Sequence, residues 1–393
     1  MAINPHPVSE MLLARSPAAS RFRFEKSCAS ALYNRDCMTT AQLRSLRRTL
    51  LRWYDQNRRD LPWRRNCDPY PVWVSEIMLQ QTRVAAVLDH YARFLRRFPT
   101  VKSLAAARES SVLAMWSGLG YYHRARRMHQ TAKLIARERR GKFPRTAEDW
   151  SALPGIGRYT AAAIASISFG EAVAVVDGNV ERVLQRLHGW KRRTLVRRNH
   201  ATKKAALATA EAQDRESAWQ QADILLDREQ PGDFNQAMME LGATICTPRA
   251  PQCALCPLNA FCKCRGAERP QRQAARKCKA ISYALARRDS SVLLVRRPAD
   301  APLMAGMWEL PSLAPGPTNG ASPLLQLRHS ITDTDYRVAI FAVLPDQLHD
   351  FATDGRWFTR RQCERLPLTG LTGKVLRRLS LASNDSAVES ICH

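Results

Sequence analysis

The chain has 393 residues, 45% of them hydrophobic, with 61 lysines and arginines against 35 aspartates and glutamates and a formal net charge of +26. That length suits about two or three domains with ample core, and the charge favours a polyanion, nucleic acid before a membrane surface. Residues 161–176, the longest apolar stretch, are interrupted by Ser166, Ser168 and Glu171, which argues against a spanning helix, and eleven cysteines without a signal-peptide core fit a reducing cytoplasm, at the bacterial nucleoid, better than export.

Residues 1–39 show no sustained hydrophobic period and read as a flexible tail, or as sequence ahead of a later start at Met38. Thr39 or Thr40 can cap the helix that follows, where Leu43, Leu46, Leu50 and Tyr54 recur at helical spacing. Further helical patterns run over 72–95, 160–168 and 179–187, and no strand alternation interrupts them, so 40–265 reads as an all-helical domain. Residues 191–204 hold seven lysines and arginines and no acid, either a solvated helix face or one that contacts phosphate. An exposed basic linker is expected over 266–279. Beyond it the runs 281–286 and 292–295 flank the turn Arg288-Asp289-Ser290, 338–344 is another strand-like run, and 374–381 resumes helix. The second domain is therefore α+β over 280–380, with a disordered tail at 381–393.

Cys246, Cys253, Cys256 and Cys262 follow the pattern C-x6-C-x2-C-x5-C in a Pro-rich segment. Four thiolates this close suit an iron–sulfur cluster or structural zinc. Zinc sites usually show two tight ligand pairs, and here only one pair is separated by two residues, which tilts the choice toward iron–sulfur. Upstream, Leu153-Pro154-Gly155-Ile156-Gly157 precedes a helix starting near Tyr159. Its glycines free the backbone to present N–H groups beside the positive end of that helix, a sequence-independent grip for phosphate. With the net charge and the cysteine loop, this reads as a helix-hairpin-helix on a DNA backbone.

The order of these features, with Val175-Val176-Asp177-Gly178-Asn179-Val180 between them, resembles the endonuclease III superfamily of DNA glycosylases. Ser75-Glu76-Ile77-Met78-Leu79-Gln80-Gln81-Thr82 resembles the signature of its adenine glycosylase (MutY-type) family, as do Gly118-Leu119-Gly120-Tyr121-Tyr122 and Phe234-Asn235-Gln236-Ala237-Met238. The resemblance is dense over 40–265 and looser over 280–380. It implies an iron–sulfur helical domain holding a [4Fe-4S] cluster on the four cysteines, joined to a Nudix-like domain.

Taken alone, Glu76 shares a helix face with Gln80 and Arg83 and looks like part of a solvated stripe, while Asp177-Gly178 looks like a turn, with Asn179 as the cap of the next helix. Glycosidic cleavage, however, needs one group to protonate the leaving base and an anion to offset an oxocarbenium-like sugar. The resemblance assigns these roles to Glu76 and Asp177. Tyr159 stands where strand-cleaving relatives carry a lysine; a phenol cannot form a Schiff base, so a monofunctional enzyme is expected.

An adenine inside a duplex must be flipped out before it can react. By resemblance, Gln81 and Tyr121 fill or wedge the gap, Trp63, Arg64 and Gln236 line the adenine pocket, and Gly155, Gly157 and Asn179 serve DNA binding. The second domain resembles the region that checks an opposite 8-oxoguanine, through Gly306-Met307-Trp308-Glu309-Leu310-Pro311 and Arg328-His329. The acidic box of Nudix hydrolases is absent. Ile331-Thr332-Asp333 departs from the Phe-Ser-His loop of many relatives; Thr332 keeps a hydroxyl for the base edge, and Asp333 adds a charge that repels phosphate. The expected function is a monofunctional, monomeric adenine glycosylase acting on double-stranded DNA with adenine opposite 8-oxoguanine or guanine; the alternatives are a glycosylase/lyase on oxidised pyrimidines, against which Tyr159 counts, and a DNA-binding iron–sulfur module without activity, against which Glu76 and Asp177 count.

Overall fold

The computed structural model describes residues 38–190, 200–266, 276–301, 303–313, 322–331, 334–344 and 355–381, without the side chains of 200–211 and 380–381. The chain divides into units Met1–Leu43 and Arg44–His393, and everything below concerns the second except the start of the first helix. Most of the expected tails (1–39 and 381–393), much of the basic stretch at 191–204 and the middle of the linker lie outside the described residues.

Helix α1 (Thr40–Asn57) begins with reciprocal hydrogen bonds: Gln42 N–H to Thr39 Oγ1 at 3.2 Å and Thr39 N–H to Gln42 Oε1 at 2.8 Å. Leu46, Leu50 and Tyr54 on its inner stripe are fully buried, as the spacing predicts. The single helix expected over 72–95 is instead two, α2 (Pro69–Leu79) and α3 (Val84–Arg97). Gln80 leaves helical geometry at ψ 113° and Gln81 is left-handed at φ 54°. The carbonyls of Ile77, Met78 and Gln80 at the break are taken by the Arg124 guanidinium. Gln80 and Arg83 consequently fall beyond the helix that carries Glu76, and the solvated stripe expected there does not form; Glu76 is only 6% exposed.

Helices α4 (Val101–Ala106), α5 (Glu109–Trp116), α6 (His123–Glu138), α7 (Ala147–Ser151), α8 (Arg158–Phe169), α9 (Gly178–His188), α10 (His200–Leu225) and α11 (Pro231–Thr244) complete the first domain. Trp73, Trp116, Trp150, Phe94 and Phe98 are all but fully buried in its core, each such side chain contributing roughly 1.5–3 kcal/mol by leaving water. Residues Ala161, Ala162, Ala163 and Ala165 of α8 are buried as well. Their small side chains let α8 lie close against α2 and α11, which sets the distance across the cleft described below. None of the described helices is long and apolar enough to cross a membrane.

The second domain is α+β as expected. Its strands are β1 (Lys277–Leu285), β2 (Arg287–Arg288), β3 (Ser291–Arg296), β4 (Trp308–Glu309), β5 (Ser312–Leu313), β6 (Leu325–Ile331), β7 (Thr334–Ala342) and β8 (Gly355–Thr359), followed by α12 (Arg360–Cys363) and α13 (Gly370–Leu381). One sheet runs β5-β1-β7-β6, with β1 and β7 parallel; in the other, β3 pairs with β2, β4 and β8. Lys277, Cys278 and Lys279, expected in the linker, already pair with Thr334, Asp335 and Tyr336 of β7, so the domain starts earlier than its apolar pattern. Met307 is fully buried in the core of the helical domain. Ser117 Oγ and the Tyr122 hydroxyl both donate to the Leu368 carbonyl, at 3.0 and 3.1 Å, which joins the two domains.

Candidate active site

Glu76 on α2 and Tyr159 in the first turn of α8 meet at the bottom of a cleft, where the Tyr159 hydroxyl donates to Glu76 Oε2 at 2.8 Å. Burial raises the Glu76 carboxyl to about 7; the Tyr159 hydrogen bond and Arg64 oppose the rise and the charge of Asp177 adds to it. Burial, with the neighbouring carboxylates Glu76 and Asp177, drives the Tyr159 phenol well above its ordinary value, so it stays a donor. Asp177 itself caps α9, correcting the expected cap at Asn179. Its Oδ1 accepts the N–H groups of Asn179 (2.9 Å) and Val180 (2.7 Å), and its Oδ2 accepts Asn179 Nδ2 (2.9 Å). Every bond made by this carboxylate is one it accepts.

The cleft encloses about 470 Å³, within the usual range for a small-ligand site. Trp63, Arg64, Glu76, Gln81, Tyr159, Asp177, Asn179 and Gln236 all line it. A buried carboxylate that pattern reading did not single out, Glu240, also lines it. Glu240, whose side chain is 0% exposed, accepts Arg59 Nε at 2.6 Å, Arg59 Nη2 at 2.7 Å and Arg64 Nη2 at 2.9 Å. Burial alone would raise Glu240, but these hydrogen bonds hold it at about 2. Its signal was visible in the sequence: one acid inside the apolar run Ala237-Met238-Met239-Glu240-Leu241. Asn235, beside Gln236, has a packing role, joining Ser166 Oγ and the backbone of Val173 and Val175.

Four expected positions lie outside the cleft. Gly155 holds φ 77°, and a Cβ there would come within 2.6 Å of Arg127, so a side chain is barred by both backbone and space. Gly157 is the cap of α8, whose first N–H groups therefore receive no side-chain cap, and a Cβ there would meet nothing within 4 Å. Tyr121 is 36% exposed with φ 48°, left-handed like Gln81. His329 sits in β6 opposite Tyr336, and burial together with Lys374 lowers its pKa. Thr332 and Asp333 lie outside the described residues.

The cysteines converge as their spacing suggests. Cys246, Cys253, Cys256 and Cys262 line one small cavity with Arg186 and Asn259, the last three cysteines placed by two 3-10 turns, Cys253–Leu255 and Asn259–Phe261. Burial first, then the three other thiols, push Cys256 to about 11, against the partial relief of a backbone hydrogen bond. Among the described residues no group of three His, Cys, Asp or Glu is arranged to hold one metal ion. Four thiols lining one cavity are a donor set whose chemistry suits an iron–sulfur cluster or structural zinc. Arg186 Nη1 approaches Cys246 Sγ at 3.4 Å, a donor suited to a coordinated thiolate. Arg182 connects this region to the cleft, donating to the Cys246 carbonyl (2.8 Å) and to Asn179 Oδ1 (2.9 Å).

Residues 74–206 match the family described as HhH-GPD superfamily base excision DNA repair protein. Over 234 residues the chain is 47% identical to the adenine DNA glycosylase of Homo sapiens, covering 57% of this chain and 40% of that protein. It is 38% identical over 327 residues to the adenine DNA glycosylase of Arabidopsis thaliana, covering 71% of this chain and 49% of that one. The chain thus spans about half the length of these curated relatives, or less. Among solved structures, a thermostable thymine-DNA glycosylase aligns with a TM-score of 0.48 at 26% identity, over 57% of this chain and 97% of that one.

Proposed function

We infer, from the match of residues 74–206 to the HhH-GPD superfamily base excision DNA repair protein family, that the chain is a monofunctional adenine DNA glycosylase. Its proposed substrate is double-stranded DNA carrying adenine opposite 8-oxoguanine or guanine, bound by a monomer. The observation that carries the chemistry is the pairing in one cleft of a buried Glu76 at about 7 with an Asp177 that only accepts hydrogen bonds. Two carboxyl groups whose surroundings differ in this way suit one acid and one fixed anion.

In this mechanism Glu76 gives its proton to adenine, at ring nitrogen seven, and the bond from the sugar to the base breaks with its electron pair leaving on adenine. Asp177, fixed by its three N–H partners, offsets the cationic sugar. Water then adds to the sugar and returns a proton to Glu76, leaving free adenine and an abasic site. Tyr159 occupies Glu76 Oε2 and so orients the carboxyl group. It offers no amine, which supports strand integrity after excision. Arg64, Gln236 and the Arg59–Glu240 pair present both donors and acceptors along the cleft, a wall able to match a base edge.

Cys246, Cys253, Cys256 and Cys262 would hold a [4Fe-4S] cluster. When bound, that group would supply a rigid fold for 246–262 and so support its contacts to α9. The α8 amides, without a side-chain cap, suit a DNA phosphate, and the β-rich domain suits inspection of the opposite base, with His329 and Thr332 as the contacts. The test is incubation with duplexes carrying adenine opposite 8-oxoguanine, guanine or thymine, resolved with and without alkali. Breaks confined to the first two duplexes and dependent on alkali are expected. Cleavage at an oxidised pyrimidine, or without alkali, would overturn the proposal.

A further inference from the structure

Gln81 and Tyr121 are about forty residues apart, yet both are exposed and both hold left-handed backbone, at φ 54° and 48°, a conformation that a side chain with a Cβ adopts at a cost. Between their loops lies Arg124, in the first turn of α6 and 6% exposed. Its Nη1 donates to the carbonyls of Ile77 (2.8 Å), Met78 (3.1 Å) and Gln80. Its Nη2 donates to Thr82 Oγ1 (3.1 Å) and to the carbonyls of Leu119 and Gly120 (3.3 Å each). The guanidinium carbon lies 5.4 Å from the ring centres of both Trp116 and Tyr121, and the Nε–H is buried without a partner. One planar cation therefore gathers the backbone on either side of Gln81 and the backbone just before Tyr121, with carbonyls and a hydroxyl as its partners instead of a carboxylate.

A buried guanidinium without a counter-ion is costly, and burial lowers Arg124 to about 10. Filling space does not call for such a group; what calls for it is the set of carbonyls on the two loops, which an apolar side chain would leave unpaired. We propose that Arg124 is a positioning residue that locks Gln81 and Tyr121 into one rigid wedge before DNA arrives, so that extruding the base needs no reordering of either loop. This rests on the glycosylase reading above. The physical gain is preorganisation: unstacking is met by side chains whose conformational cost has already been met in folding. The fork geometry matters, because a lysine ammonium cannot reach both loops with aligned donors.

The test uses the full chain and Arg124→Lys, with single-turnover excision of adenine from two DNAs: a fully paired duplex with adenine opposite guanine, and a duplex with adenine inside an unpaired bubble. The variant is expected to lose on the order of 10–100-fold on the paired duplex, as for a misplaced catalytic geometry, and to stay near wild type on the bubble, where unstacking is largely done. Equal loss on both DNAs would make Arg124 a prop for Glu76 or the fold, and no loss on either would remove its role; each result overturns the proposal. A second arm follows 2-aminopurine, placed as the target base, on saturation with protein. Fluorescence should rise with wild type and not with Arg124→Lys. If wild type removes no adenine, the glycosylase reading fails and this arm decides the wedge alone: a rise equal in both proteins, or absent from wild type, overturns it. Should Arg124→Lys not fold, Thr82→Val removes one acceptor of the same guanidinium and should show the same contrast between DNAs in weaker form; the absence of that contrast overturns the proposal.

Discussion

Replacing Glu76 by glutamine should make the protein more stable at alkaline pH while abolishing excision. In the folded chain Glu76 titrates at about 7, against 4.5 for an unperturbed glutamate. Between those values the folded chain keeps a proton that the unfolded chain has released. The stabilisation from this raised pKa is fully present below pH 4.5 and is lost as pH rises through 7. At about 1.4 kcal/mol per pH unit the loss reaches ~3 kcal/mol once the carboxylate is ionised. Glutamine cannot ionise, and its amide oxygen can still accept the Tyr159 hydroxyl. Wild type and Glu76→Gln should therefore unfold together near pH 4.5 and separate on the way to pH 8.5 by roughly 6–12 °C, taking ~2–4 °C per kcal/mol for a domain this size. Thermal unfolding by circular dichroism across that range measures the gap, and comparing two otherwise identical chains cancels all other titrating groups. A gap that ignores pH, or a variant less stable at pH 8.5, would refute the assignment of burial as the dominant cause. The same pKa requires wild-type excision to decline above pH 7.

Asp177→Asn should slow excision by at least 100-fold while duplex affinity changes little, measured by single-turnover rates beside a filter-binding titration; an amide still caps α9 but offsets a cationic sugar poorly. A rate within about threefold of wild type would exclude the proposed anion role. Tyr159→Lys should gain borohydride-trapped covalent complex on mispaired duplex, read by gel shift, where wild type shows almost none; efficient trapping by wild type would end the monofunctional reading. Purified protein should carry iron and sulfide with broad absorbance near 400 nm, and removal of the iron should lower the melting temperature and DNA affinity together. Colourless, folded protein with stoichiometric zinc would replace the cluster with a zinc site.

How much of this was legible in the chain follows the range of the interactions involved. The capped first helix, the Asp289 turn between β2 and β3, the glycine hairpin and the cysteine spacing are local patterns, written in residues a few positions apart, and each appears in the structure. The carboxylate roles came from resemblance to a family and not from pattern, because a lone Glu76 on an apolar helix looks no different from a surface residue. What periodicity missed was decided by long-range partners. The break between α2 and α3 depends on Arg124, more than forty positions away, which accommodates carbonyls that a continuous helix would have satisfied itself. The Arg59–Glu240–Arg64 pairing spans about 180 positions, and no local spacing rule reaches that far. Asn179 is the cap expected from pattern, yet Asp177 takes that place, since its carboxylate accepts two backbone N–H groups with one oxygen and steadies the Asn179 amide with the other. The sequence by itself determined which groups the site contains. Only the tertiary structure decided that Glu76 is buried beside Tyr159 and Asp177, and desolvation, a property of the folded surroundings, is what turns an ordinary carboxyl group into one poised near neutral pH.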